Sequence, residues 1–188
     1  MKTLQSKEKI KKVSEFYNDV SKANEDYLKY WLDNTLFHWD FWLSLIVFTI
    51  VPIVFWIKIR KKESSNRLLF VGMLVFIISS WLDFLGVQYG KWYYTGKVIP
   101  SIPSYVPWDW VIIPVLIMTL IQIKPQISPI LKAIIFASVS TFIGEPLFLW
   151  LGFYVIKDWH IIYSFPIYFI MYLLANKISK VKNFEPIP

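Results

Sequence analysis

The sequence predicts an all-α membrane protein, a bundle of about five transmembrane helices preceded by an amphipathic N-terminal helix. Three observations predict it. Five apolar stretches approach the roughly twenty residues that a helix needs to cross the hydrocarbon core. The charged side chains collect between those stretches. The 188 residues are 56% hydrophobic and 19% aromatic, with ten Trp. That is more apolar surface than a small soluble domain encloses, and Trp and Tyr are the rings that gather at headgroup level.

Residues 1–40 form a polar segment in which Ile10, Val13, Tyr17, Val20, Tyr27 and Trp31 recur at threes and fours or their sum, with Asn24 interrupting the stripe. This spacing predicts an amphipathic helix, expected to lie on the membrane surface, with a short coiled-coil contact to a partner as the alternative. The segment has no early apolar run of the kind a cleavable signal needs, so the first spanning helix is expected to direct insertion. The transmembrane domain covers 41–175, with spans expected at 41–57, 68–86, 105–123, 130–151 and 161–175. Pro52, Pro114, Pro146 and Pro166 fall in or near spans, where neighbouring helices can satisfy the carbonyls that Pro frees. Residues 176–188 read as a basic tail.

The chain carries a formal charge of +7, and its distribution argues for orientation in a bilayer, not for nucleic acid as a partner. Lys58, Arg60, Lys61, Lys62 and Arg67 crowd the connection between the first two spans. Lys124 and Lys132 flank the third connection, and Lys177, Lys180 and Lys182 follow the fifth span. The opposite loops hold only Lys91, Lys97 and Lys157. Basic loops stay on the cytoplasmic side, so the expectation is a multipass protein of the cell membrane, N-terminus outside and C-terminus in the cytoplasm. The chain has no Cys, which excludes disulfides, thiolate metal sites and a Cys nucleophile.

An ionisable side chain inside a span marks a candidate functional site. Asp83 lies about 22 Å along the second span and Glu145 about 20 Å along the fourth, at about 1.5 Å per residue. Both sit late in a helix, where the dipole disfavours negative charge, so each needs a proton, a donor or a cation. Thr141, one turn before Glu145, and the many Tyr and Trp are the available donors. Asp40 and Asp109 open their helices, where a carboxylate accepts backbone N–H bonds. Asp158 reads as a solvated loop charge. All four span acids, with His38 and His160, fall in the half of the bilayer away from the basic loops. The candidate ligand-binding residues are therefore Asp83, Glu145, Asp109, Asp40, Trp81 and Trp108, expected to face a small ligand, a cation or a lipid. No metal-ligand spacing, nucleophile elbow or phosphate-binding glycine motif occurs, so no catalytic residue, metal or cofactor is expected. The stretch 87–107, with Trp92-Tyr93-Tyr94 and then Pro100, Pro103 and Pro107, reads as an aromatic belt and a stiff extended connection.

An ordered set of motifs runs along nearly the whole chain. It begins with Tyr30-Trp31, His38-Trp39 and Asp83 followed by Gly86. Trp92-Tyr93-Tyr94, Ile99-Pro100, Ile102-Pro103, Pro107-Trp108-Asp109 and Pro114-Val115 come next. Gly144-Glu145-Pro146, Gly152, Tyr154, Trp159 and Tyr163-Ser164-Phe165-Pro166-Ile167-Tyr168 close it. In these the chain resembles a family of small multipass membrane proteins of spore-forming Gram-positive bacteria, which implies a membrane location. A fainter resemblance, over about half the chain, is to membrane carotenoid hydratases. It rests on Asp83 and Gly86, Gly90-Lys91-Trp92-Tyr93-Tyr94, Pro103, Pro107, Glu145-Pro146, Gly152 and Trp159. That resemblance implies protonation of an alkene by a buried carboxylic acid, with Glu145 and Asp83 as the candidates.

Overall fold

The computed structural model of the protein describes residues 4–181. Six helices dominate it: α1 (Lys7–Asn34), α2 (Trp39–Ile59), α3 (Lys62–Gln88), α4 (Pro107–Gln122), α5 (Pro129–Trp150) and α6 (Ile161–Ile178). The architecture is the expected all-α bundle of membrane type. Four of the helices, α2, α3, α5 and α6, are long and apolar enough to cross a membrane. Helix α4 is shorter, about 24 Å by its rise against roughly 30 Å of hydrocarbon. The reason lies in the segment before it. Ser104, Tyr105 and Val106 are buried, so the Pro-rich connection dips into the bundle and α4 starts below the surface. Irregular backbone at that depth is tolerated where protein surrounds it.

Helix α1 starts at Ser6, whose side chain accepts from the Lys9 N–H, a standard N-cap arrangement. Its stripe residues Ile10, Val13, Tyr17 and Val20 are all exposed. Only the C-terminal end docks, through buried Trp31, whose Nε1 donates to the Lys97 carbonyl at 2.7 Å. Of the expected tail, 176–178 complete α6, and 182–188 lie outside the described residues.

Three of the helices contain a widened π-helical turn: Leu43–Ile50 in α2, Pro107–Ile112 in α4 and Ser140–Gly144 in α5. Pro52, Pro114 and Pro146 each stand two residues beyond the end of such a turn. Proline lacks the N–H and crowds the carbonyl four residues back, and an i→i−5 turn relieves that clash. In α5 the Glu145 N–H accordingly donates to the Ser140 carbonyl.

At the basic end, the Gln122 side chain joins α4 to α2, donating to the Ile59 carbonyl at 2.9 Å and accepting from the Lys61 N–H at 2.8 Å. Lys132 donates to the Leu120 and Ile123 carbonyls at 2.7 and 2.6 Å, a cation on the negative end of α4. At the other end the loops after α3 and α5 pair as a two-stranded antiparallel ribbon, β1 (Trp92–Tyr94) against β2 (Tyr154–Ile156). The expected aromatic belt is thus a strand with alternating sides. Trp92 and Tyr94 turn inward, and Tyr93 turns outward.

Candidate functional site: a cavity with three carboxyl groups

Beneath the ribbon, α3, α4, α5 and α6 surround a cavity of about 80 Å³, enough for several waters or a few heavy atoms. Asp83, Asp109, Glu145 and Trp108 all line it, and the three acids are only 5%, 3% and 7% exposed. The helices that carry them are held at this depth by the packing of α3 on α4 and of α5 on α6.

Asp83 is fully engaged. Its Oδ1 accepts from Trp92 Nε1 and from the Tyr94 hydroxyl, both at 2.6 Å, and its Oδ2 accepts from the Tyr105 N–H at 3.0 Å. The same N–H reaches Asp109 Oδ2 at 3.2 Å, so one backbone donor bridges the two carboxyl groups. Burial and the adjacent Asp83 push the Tyr94 hydroxyl well above its ordinary value, which keeps it a neutral donor. Asp83 therefore fastens β1 and the dipping loop to α3. The ribbon reaches this depth because Gly86 has no side chain: a Cβ there would lie 1.9 Å from the Trp92 ring.

Glu145, on the other wall, is only half engaged. The Tyr168 hydroxyl donates to its Oε1 at 3.0 Å and accepts from Trp108 Nε1 at 3.0 Å. Its Oε2 is buried and has no partner at hydrogen-bond geometry, with Ser164 beside it. The Ser164 hydroxyl is itself taken as acceptor by Trp159 Nε1 at 3.1 Å. Aromatic rings complete the lining: Trp92 edge-on to Trp159 at 5.0 Å, Tyr94 stacked on Tyr154 at 5.4 Å and Trp108 edge-on to Phe148 at 5.0 Å between centroids. Trp108 packs against Gly144, where a Cβ would come within 2.3 Å of the indole.

The other candidates lie elsewhere. Trp81 is 61% exposed, edge-on to Phe84, and does not line the cavity. Asp40 sits in the first turn of α2, which has no side-chain cap bond, and its buried Oδ1 is without a partner. Thr141 does not serve Glu145; its hydroxyl is buried and unpaired. Asp158, at the surface, pairs with Lys91, which holds its carboxyl below the usual range. Lys97 is 8% exposed and donates to the Ile102 and Pro103 carbonyls at 2.8 and 2.9 Å, and burial pushes its ammonium down to about 8 against the opposing pull of Asp83. Among the described residues no three His, Cys, Asp or Glu side chains are grouped to hold a metal ion.

Sequence reasoning missed Tyr168, Trp92, Tyr94 and the Tyr105 N–H. The alternation within Trp92-Tyr93-Tyr94 is the one signal that could have found two of them. No protein-family model, curated protein or solved structure matches the chain.

Proposed function

We propose that this is a multipass protein of the cell membrane, N-terminus outside and C-terminus cytoplasmic, whose outer-half cavity binds or carries a small ligand with a cationic or hydrogen-bond-donating group. The observation that carries this reading is the Glu145 Oε2, a buried carboxyl oxygen on the cavity wall that no protein donor meets at hydrogen-bond geometry. A buried acceptor left unpaired costs about 1–3 kcal/mol, and a donor on a ligand removes that cost. The surrounding Trp and Tyr faces suit a cation as well. The basic loops support the orientation. The resemblance to carotenoid hydratases would assign the same acids to alkene protonation, but about 80 Å³ suits a small ligand better than a long polyene.

Glu145→Gln tests the proposal. Gln retains an oxygen for the Tyr168 hydroxyl, so melting of the purified protein should be nearly unchanged while the variant fails to complement a deletion strain. Full complementation by Glu145→Gln would overturn the reading. The exposed stripe of α1 favours a second reading, a scaffold that docks through that helix. A scaffold would tolerate Glu145→Gln and lose function when Ile10, Val13 and Tyr17 are made polar.

A further inference from the structure

A second concavity lies on the opposite half of the bundle and shares no residue with the first. It runs between α2, α3 and α4, holds about 570 Å³, and is walled by apolar side chains such as Ile53, Ile57, Leu69, Met73 and Val115. On α2 it extends from Ile53 to Arg60 and on α4 from Trp110 to Met118, about 10 and 12 Å of helix. Half of a hydrocarbon core is about 15 Å, so the groove has the length of one leaflet. The groove is apolar along its length and ends at a basic side chain, as the acyl chain and headgroup of a lipid require.

One end of the groove is charged. Arg60 closes it, half-buried, its guanidinium 5.5 Å from the centre of the Trp56 ring. It makes no ion pair or side-chain hydrogen bond with any described residue. Lys58, Lys61 and Lys62 flank it, with Glu63 the one acid in the connection. The indole N–H groups of Trp56 and Trp110, both in the groove wall, are buried without acceptors. An apolar slot about one leaflet long, a guanidinium without an anionic partner at its mouth and an unpaired N–H one turn away match the parts of one molecule.

We propose that this groove binds an anionic phospholipid of the leaflet on the basic side, with an acyl chain in the slot and the phosphate on Arg60. Arg is suited to this role because its planar fork meets phosphate oxygens in pairs. Basic side chains next to a span already favour anionic headgroups, and the slot turns that general attraction into a defined site.

The test uses the full-length protein reconstituted in vesicles of equal phosphatidylglycerol and phosphatidylcholine, then released for native mass spectrometry. Wild type should retain one phosphatidylglycerol in preference to phosphatidylcholine. Arg60→Gln should reduce that preference roughly tenfold or more, because the phosphate of phosphatidylcholine is already offset by its own choline cation and that of phosphatidylglycerol is offset only by Arg60. Met73→Trp fills the slot without altering charge and should lower retention of both lipids. Lys62→Gln, on the exposed side of the connection, should leave the preference intact. The proposal is overturned if the preference survives Arg60→Gln, if Lys62→Gln removes as much as Arg60→Gln, or if Met73→Trp retains lipid like wild type.

Discussion

Asp83→Leu should detach the ribbon from the bundle and destabilise the purified protein by about 3 kcal/mol or more. The substitution strands two donors that now end on one carboxyl, Trp92 Nε1 and the Tyr94 hydroxyl, and leaves the Tyr105 N–H with only its longer bond to Asp109. Each buried donor left without an acceptor costs about 1–3 kcal/mol. Asp83→Asn makes the contrast. Its oxygen still serves Trp92 and Tyr94. The Tyr105 N–H keeps its second acceptor on Asp109. The amide variant should therefore melt close to wild type. Thermal unfolding in detergent, with limited proteolysis of 89–106 as a local readout, checks both. Equal stability of the leucine and asparagine variants would show that Asp83 does not hold the ribbon.

Gly86→Ala should be nearly as damaging despite adding one methyl group. The new Cβ would stand 1.9–2.4 Å from three atoms of the Trp92 ring, closer than any real contact, and the ring cannot retreat without leaving Asp83. Overpacking costs about 1–3 kcal/mol, and the lost indole bond adds to it. The prediction is specific to this pair, so a double-mutant cycle decides it. Trp92→Phe shortens the ring and should make Gly86→Ala much cheaper than in the parent. Additive costs in the double variant would place the damage elsewhere, for example in α3 itself.

The apolar helices were legible because span length and loop charge are written in composition over twenty-residue windows. Glu145 and Asp83 were legible because an acid inside an apolar run is costly wherever it points. Direction was harder to read. Trp81 lies two positions before Asp83, about 200° around a helix of 3.6 residues per turn, so a shared neighbourhood in sequence put the two on different faces. Tyr168, the donor to Glu145, stands on another helix 23 residues away, and in sequence it is one interfacial ring among many. The Tyr105 N–H that bridges Asp83 and Asp109 is a backbone group that every residue but Pro has. Strands of three residues are too short for a periodicity. The shortened α4 followed from a loop whose burial only the tertiary fold decides.

The most direct test of a ligand cavity on the side away from the basic loops is the reactivity of a thiol placed at Glu145. The chain has no Cys of its own, so Glu145→Cys carries a single reporter. In sealed vesicles of known orientation, a small cationic methanethiosulfonate added from the β1–β2 side should modify Glu145→Cys. The same reagent added from the other side should not. Val139→Cys, exposed on the outer face of α5, should stay unmodified from both. A Glu145→Cys thiol that is inert from the β1–β2 side, or that reacts only from the side of the Arg60 connection, would contradict the cavity assigned here.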